Sequence, residues 1–368
     1  MVTSINKFYF LVLGVHSALT VAAITPYPLG INFGPTYITA AQINASTGEP
    51  ILVASVKGSD AYIAFVENSL QNEGMKYLWM GQWYLRDGNS SIPIPRDPSS
   101  TPEGETIFAA SLMAINKEAT KTLGESVDIT SISIPEHFNE TLYGSVSNAG
   151  MKNEQGFIQP WQVRRFPHAA RLAYGLNSCE GFGLGPDLCD IDDGPHYVIF
   201  VEYNREYLEL FIAEVGDFTF NMVGSTRLKS LGAKVLESES YVSQILGHPP
   251  YSKDTGIIFN TSIQSPGRYQ NEYQNVIQDF IAKHFPKSDT YDYFQDLRAI
   301  MLGGEAPREL FANIRDAVEA ALPEHKGKIR DTIDPHFVGA VGAAQWAKRQ
   351  VLQPEILKEI QGFMHDEL

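Results

Sequence analysis

Cysteine is almost missing from this chain: only Cys179 and Cys189 occur in 368 residues. That excludes a disulfide-built scaffold. With neither a CxxC pair nor grouped histidines, a zinc-held or dithiol-redox protein has no support either. Positive charge is short as well, with 28 Lys and Arg against 43 Asp and Glu and a formal net charge of −15. A surface of that sign disfavours nucleic acid and anionic lipid as partners. The acids are spread out and read as solvated surface, the run Asp190-Ile191-Asp192-Asp193 included. Past the first residues no apolar run is long enough to span a bilayer. There is no low-complexity tail and no Pro-rich linker. No Gly-x-Ser-x-Gly or HExxH setting surrounds His137, His168, His196, His248 or His336, so an unrelated enzyme built on these histidines is an alternative without a motif.

What is present at the two ends is more specific. Lys7 precedes the apolar stretch FYFLVLGVHSALTVAA, Phe8–Ala23. A short basic region, an apolar core and small residues at Val21, Ala22 and Ala23 predict a secretory signal peptide, residues 1–23, cleaved near Ala23. A membrane anchor is the alternative, and Gly14, His16 and Ser17 interrupt it. The chain ends in His365-Asp366-Glu367-Leu368, the receptor-read address for retention in the endoplasmic reticulum. The expected location is therefore the lumen, with no membrane association after cleavage. Sequons at Asn44, Asn89, Asn139 and Asn260 are consistent with that route. In an oxidising lumen Cys179 and Cys189 are expected to pair across a glycine-rich loop, with a redox or metal pair as the alternative.

The pattern along the chain predicts two similar runs. Strands are expected at Leu29–Phe33, Tyr37–Ile43 and Ile51–Val56, then a helix at Glu105–Leu123, a strand at Asp128–Ile134 and helices at Glu140–Ala149 and Pro167–Gly175. Residues 70–103, rich in Gly, Pro, Asn and Ser, give no clear element. Strands are again expected at Tyr197–Val201, Tyr207–Glu214 and Phe218–Val223. A helix at Tyr269–Phe285, a strand at Ala299–Leu302, and helices at Ala306–Leu322, Phe337–Arg349 and Pro354–Met364 follow. The repeated order predicts an α/β fold of two similar lobes around a cleft, the usual place for a ligand.

Five fragments carry a resemblance. GINFGPTY (Gly30–Tyr37) resembles GIDLGTTY, the first phosphate loop of the nucleotide-binding domain of the seventy-kilodalton heat-shock chaperones, in the actin-like ATPase superfamily. ISIPEHFNETLYGSVSNAG (Ile132–Gly150) resembles VTVPAYFNDSQRQATKDAG, and FPHAARLAYGL (Phe166–Leu176) resembles EPTAAALAYGL. IMLGGEAPREL (Ile300–Leu310) is similar to the adenosine loop VLVGGSTRIPK, and DPHFVGAVGAAQWA (Asp334–Ala347) to NPDEAVAYGAAVQA. The resemblance implies a bilobed actin-like fold with two duplicated ribonuclease-H-like lobes: lobe I over residues 24–176, lobe II with a reduced outer subdomain over 177–350, and a tail helix with the retention signal over 351–368. It implies ATP or ADP with Mg2+ as cofactor, held by Gly34, Thr36 and Tyr37 and by Gly303, Gly304 and Arg308. By resemblance the partners would be luminal chaperones or their cofactors.

The departures bear on activity. Asn32 stands where the family has its metal-linked aspartate, and Pro35 replaces a threonine. In the second phosphate loop DLGGGTFD aligns with Glu202-Tyr203-Asn204-Arg205-Glu206-Tyr207-Leu208-Glu209. In this register Glu202 and Glu209 keep the acidic positions, whereas a shift of one residue puts Val201 and Leu208 there. In both, the glycines that let backbone approach a phosphate are gone. The stretch also reads as a plain hairpin. No counterpart of the catalytic lysine is found, Tyr143 and Phe166 take the places of the interlobe switch pair, and no substrate-binding domain follows. A degenerate, weakly or non-hydrolysing relative acting through nucleotide or protein binding is the favoured expectation, with ATP or ADP and Mg2+ or no cofactor at all. An ATPase with altered ligands, in which Glu202, Glu209 and a water-orienting Asn32 hold Mg2+, stays open beside it, as does an unrelated enzyme using the interlobe cleft.

Overall fold

The computed structural model describes residues 27–71, 100–152, 158–185, 191, 195–216, 219–234, 266–288, 290 and 292–354. Strands β1 (Leu29–Phe33), β2 (Tyr37–Ile43) and β3 (Pro50–Lys57) form an antiparallel meander. β4 (Ile129–Ile134) pairs parallel to β1, and β5 (Val163–Arg165) parallel to β4. The order is β3-β2-β1-β4-β5. Short turns suffice for the meander, whereas the parallel strands need helical crossovers, which is why helices appear only after β3.

The same layout recurs. β6 (Tyr197–Tyr203), β7 (Leu208–Val215) and β8 (Phe220–Leu228) form a second meander. β9 (Leu297–Gly303) joins β6 in parallel and β10 (Ile329–Arg330) joins β9 in parallel. The order β10-β9-β6-β7-β8 matches the first sheet strand for strand, in position and in sense. β1 and β6 are buried along their whole length. Both are continuous apolar runs broken only by Gly30, Asn32 and Glu202, as expected of central strands covered on both faces.

Helices α1 (Asp60–Gln71), α2 (Pro102–Leu123) and α3 (Glu140–Met151) cover the outer face of the first sheet. They do so through Tyr62, Val66, Phe108, Leu112, Ile115 and Leu142. α2 starts where Pro102 fixes the first turn and Thr101 Oγ1 accepts from the Gly104 N–H at 3.1 Å. On the second sheet, α5 (Pro266–His284) and α6 (Phe311–Ala321) do the same with Tyr273, Ile277, Phe280, Ile314 and Val318.

Two helices lie between the sheets, and each comes from the other half of the chain. α4 (Phe166–Ala173), which follows β5, places Phe166 and Ala170 against Val198, Phe200, Phe211 and Ala213 of the second sheet. α7 (Val338–Leu352), which follows β10, places Ala340, Val341 and Ala344 against Ala41 and Ile43 of the first. The two helices touch through backbone: a Cβ on Gly342 would lie 1.9 Å from the Ala169 carbonyl oxygen.

The structure adds three elements that the sequence pattern does not announce, α1 and the short strands β5 and β10. β8 runs to Leu228 rather than ending at Val223. α6 begins at Phe311 instead of Ala306, because Ala306 and Pro307 belong to a loop and Arg308–Leu310 form a 3-10 turn. Beyond Pro354 the expected tail helix lies outside the described residues, as do residues 1–26 and 355–368 with the signal peptide and the retention sequence. Among the described residues no helix is long and apolar enough to cross a membrane.

Replacing Gly342 by Ala should force α4 and α7 apart and cost about 1–3 kcal/mol. Thermal unfolding should show the loss, while Val351→Ala, at a side chain that is exposed on the same helix, should leave the midpoint unchanged.

Candidate functional site

The two meanders turn in the same way. The Gly34 N–H donates to the Tyr37 carbonyl at 2.9 Å between β1 and β2, and the Asn204 N–H to the Tyr207 carbonyl at 2.9 Å between β6 and β7. Both turn tips line a cavity between the sheets, with Asn32, Pro135, Phe166, Glu202, Glu305 and His336. Its volume is about 10 Å³, room for about one water molecule. Ligand pockets are typically about 300–1,000 Å³.

Glu305 closes this space. β9 ends at Gly303, and Gly304 takes φ +125°, a backbone region reserved for glycine, with a hypothetical Cβ 2.2 Å from the Tyr203 carbonyl oxygen. The loop is pinned on both sides of the bend. The Gly304 N–H donates to Pro335 O at 3.1 Å and the Ala306 N–H to Tyr203 O at 3.0 Å. The Glu305 N–H donates to Asn204 Oδ1 at 2.8 Å. So held, the Glu305 side chain crosses to the first turn, where it accepts from the Thr36 N–H at 2.7 Å and the Tyr37 N–H at 2.9 Å. The Thr36 hydroxyl adds a further bond. Tyr62 of α1 supports the turn from behind, donating to Gly34 O at 2.6 Å.

A row of charge crosses the second sheet beside it. Glu202 of β6 is the register partner of Gly303 on β9 and of Glu209 on β7, and Glu209 is the partner of Arg227 on β8. Two carboxyls placed directly opposite repel. Arg227 relieves this, donating to Glu209 Oε1 at 2.8 Å. Glu202 Oε1 accepts from Asn204 Nδ2 at 2.8 Å and from the Tyr207 hydroxyl at 3.3 Å. His137, just after β4, meets the Tyr207 hydroxyl at 3.3 Å and lies 3.9 Å from Glu209. Glu136 lies 3.8 Å from Arg165. Burial pushes the carboxyls up, Glu202 and Glu305 to about 8 and Glu136 to about 7, with the neighbouring Glu209 adding to Glu202. Burial also lowers His137, keeping it neutral.

The residues singled out from the sequence are distributed as follows. Gly34, Thr36 and Tyr37 form the first turn, and Gly303 and Gly304 form the bend that aims Glu305. Asn32 is buried in β1 against Gly339 at the start of α7, its Oδ1 without a hydrogen-bond partner. Glu202 and Glu209 face the cleft, while Val201 and Leu208 sit in the core of the second sheet. Asn204-Arg205-Glu206 is the tip of a hairpin. Arg308 lies on the surface with 82% of its side chain exposed, 3.9 Å from Asp334, and does not line the cavity. Cys179 is disulfide-bonded, and Cys189 lies outside the described residues. Asn44 closes the β2–β3 turn, accepting from Ser46 and Thr47, and Asn139 caps α3, accepting from Leu142 at 3.0 Å. Asn89 and Asn260 are outside the described residues.

The sequence pattern gives no role to Glu305 or Arg227, and it shows Asn204 and Tyr207 only as part of an altered second phosphate loop. One signal was available: Glu305 stands where the resembled adenosine loop carries serine. Around the cleft the Thr36 and Tyr37 amides serve the Glu305 carboxyl and Glu202 Oε1 is held by Asn204 and Tyr207, while Asn32 Oδ1, Glu202 Oε2 and Glu209 Oε2 are buried without a hydrogen-bond partner; the space is that of about one water. Among the described residues no group of three or more His, Cys, Asp and Glu side chains is placed to hold a metal ion. No protein-family model matches the chain.

Removing Arg227 should leave Glu209 buried without its cation. Arg227→Ala is expected to cost about 3–5 kcal/mol in urea unfolding, and Arg227→Lys should recover part of it.

Proposed function

We propose that this chain is a bilobed relative of the actin-like ATPases, similar to the nucleotide-binding domain of the seventy-kilodalton heat-shock chaperones. In this reading it acts as a non-hydrolysing binding partner in the lumen of the endoplasmic reticulum. The duplicated strand order, the central pair of crossing helices and the five resembling fragments support the fold. The single observation that carries the function is the Glu305 side chain seated on the amides of Thr36 and Tyr37. Phosphoryl transfer depends on positioned donors and cations aimed at developing charge. Here the donors of the first turn are satisfied from within, and the facing hairpin carries Asn204-Arg205-Glu206 instead of a glycine run and presents Glu202 and Asn204 to the cavity.

A nucleotide would have to displace an internal ligand and widen a space with room for about one water. The retained shape then serves recognition, with luminal chaperones or their cofactors as the partners that the resemblance suggests. The signal-peptide pattern and the terminal HDEL support the luminal setting.

Titration calorimetry of the chain lacking residues 1–23 with ATP and ADP, each with and without Mg2+, should give no binding heat. Heat that requires magnesium and is abolished by Glu202→Ala would overturn this reading in favour of an ATPase with altered ligands. A pull-down from luminal extract should recover a chaperone component, and its absence would remove the partner assignment.

A further inference from the structure

We propose that Glu305 is a built-in ligand: its carboxylate fills an anion cradle on the other lobe and holds the two lobes closed, and a small free carboxylate can take its place once the side chain is removed. The inference rests on the reading above, that the donors of the first turn are satisfied from within, and adds what that contact does.

The cradle belongs to the β1–β2 turn. Thr36 and Tyr37 are consecutive, and their N–H groups converge on one carboxyl, a nest of the kind that binds anions. One donates to Glu305 Oε2 at 2.7 Å and the other to Oε1 at 2.9 Å, and the Thr36 hydroxyl adds a further bond. Gly34 makes the room, since a Cβ there would lie 1.8 Å from Glu305 Oε1. Tyr62 braces the turn from behind through Gly34 O. Each carboxyl oxygen thus faces an N–H group. A carboxylate meets both as an acceptor, whereas a carboxamide turns its own NH2 toward one of them.

The contact joins the lobes. Glu305 follows β9 of the second sheet, on a loop fixed by the Gly304 bend and by Asn204 Oδ1, and its amide partners belong to the first sheet. Two other bonds cross at the cleft. His336, before α7, meets Ser55 of β3 at 2.9 Å, and the Tyr207 hydroxyl meets His137 Nδ1 at 3.3 Å. Each is a single bond, whereas Glu305 brings a pair to one ionisable group, and hydrogen bonds to a charged acceptor are about twice as strong as neutral ones. A ligand closes a two-lobed protein by touching both walls of its cleft. Here the ligand is a side chain of one wall, so the closed shape needs no small molecule. Arg205 at the hairpin tip favours the charged carboxylate. Burial opposes it and pushes the group up to about 8, so the test is made at pH 9, where the carboxylate is the form present.

Spin labels on Met113→Cys in α2 and Lys326→Cys before β10, both exposed positions, measure the distance between the lobes in the chain lacking residues 1–23. Glu305→Ala should lengthen and broaden the distance distribution. Gly34→Ala should do the same by evicting the carboxyl, and the two together should be no worse than either alone. Sodium acetate should restore the parent distribution in Glu305→Ala but not in Gly34→Ala, whose cradle is filled, and sodium chloride at equal ionic strength should restore neither. A parent-like distribution in Glu305→Ala, or an opened one that acetate leaves unchanged, overturns the proposal. So does restoration by chloride, or by inorganic phosphate and not acetate. If Glu305→Ala does not fold, Glu305→Gln decides: the amide proton resonance of Thr36 or Tyr37 should move upfield, and unchanged resonances at both overturn the proposal. ATP binding heat in the unsubstituted chain with the acetate effect intact would sink only the non-hydrolysing reading, and no heat with no acetate effect would sink only the built-in ligand.

Discussion

The backbone contact between α4 and α7 at Gly342 and Ala169 is the constraint on which the other features rest. Two sheets of equal design are held apart by one layer of two helices, and that layer is as thin as backbone touching backbone allows. Gly342 meets the Ala169 backbone there, and the His168 and Trp346 rings lie beside it with centroids 6.3 Å apart. The thin layer lets turns at the ends of two different sheets converge on the same small space.

At the cleft, electrostatics and packing act together. Glu202, Glu209 and Arg227 stand side by side on three adjacent strands, so a repulsive pair and its remedy come from the same register. The cleft holds its acids by different means. Glu209 is neutralised by Arg227, and Glu202 leans on Asn204 and Tyr207. Glu305 relies on amides.

How much of this was visible beforehand depends on the sequence distance of the contacts. The meander strands were readable because β-branched and aromatic runs are bounded by local turns such as Gly34-Pro35. α2 carried its own start signal in Thr101 and Pro102. α1 was missed although Ser59 caps it, its Oγ accepting from the Tyr62 N–H at 3.2 Å, because its apolar face is short. The exposed setting of Arg308 was hidden because motif matching places a residue along a loop and says nothing about which way it faces. Glu305 was the hardest to see: its partners lie 268 and 269 residues away in the chain, and no local pattern encodes such a contact. Which of Val201 and Glu202 faces the cleft follows from the alternation along β6, which puts Val201 in the outer core and Glu202 at the cavity.

The exchange of α4 and α7 between the sheets has a consequence for synthesis on the ribosome. The first five strands emerge early, yet the helix that covers their inner face is drawn from Val338–Leu352, near the end of the chain. Until then Ala41, Ile43 and their neighbours have no lid, and α4 waits for a sheet not yet made. Neither half can complete its core alone, so the inner face of the first sheet has no cover until Val338–Leu352 has been made.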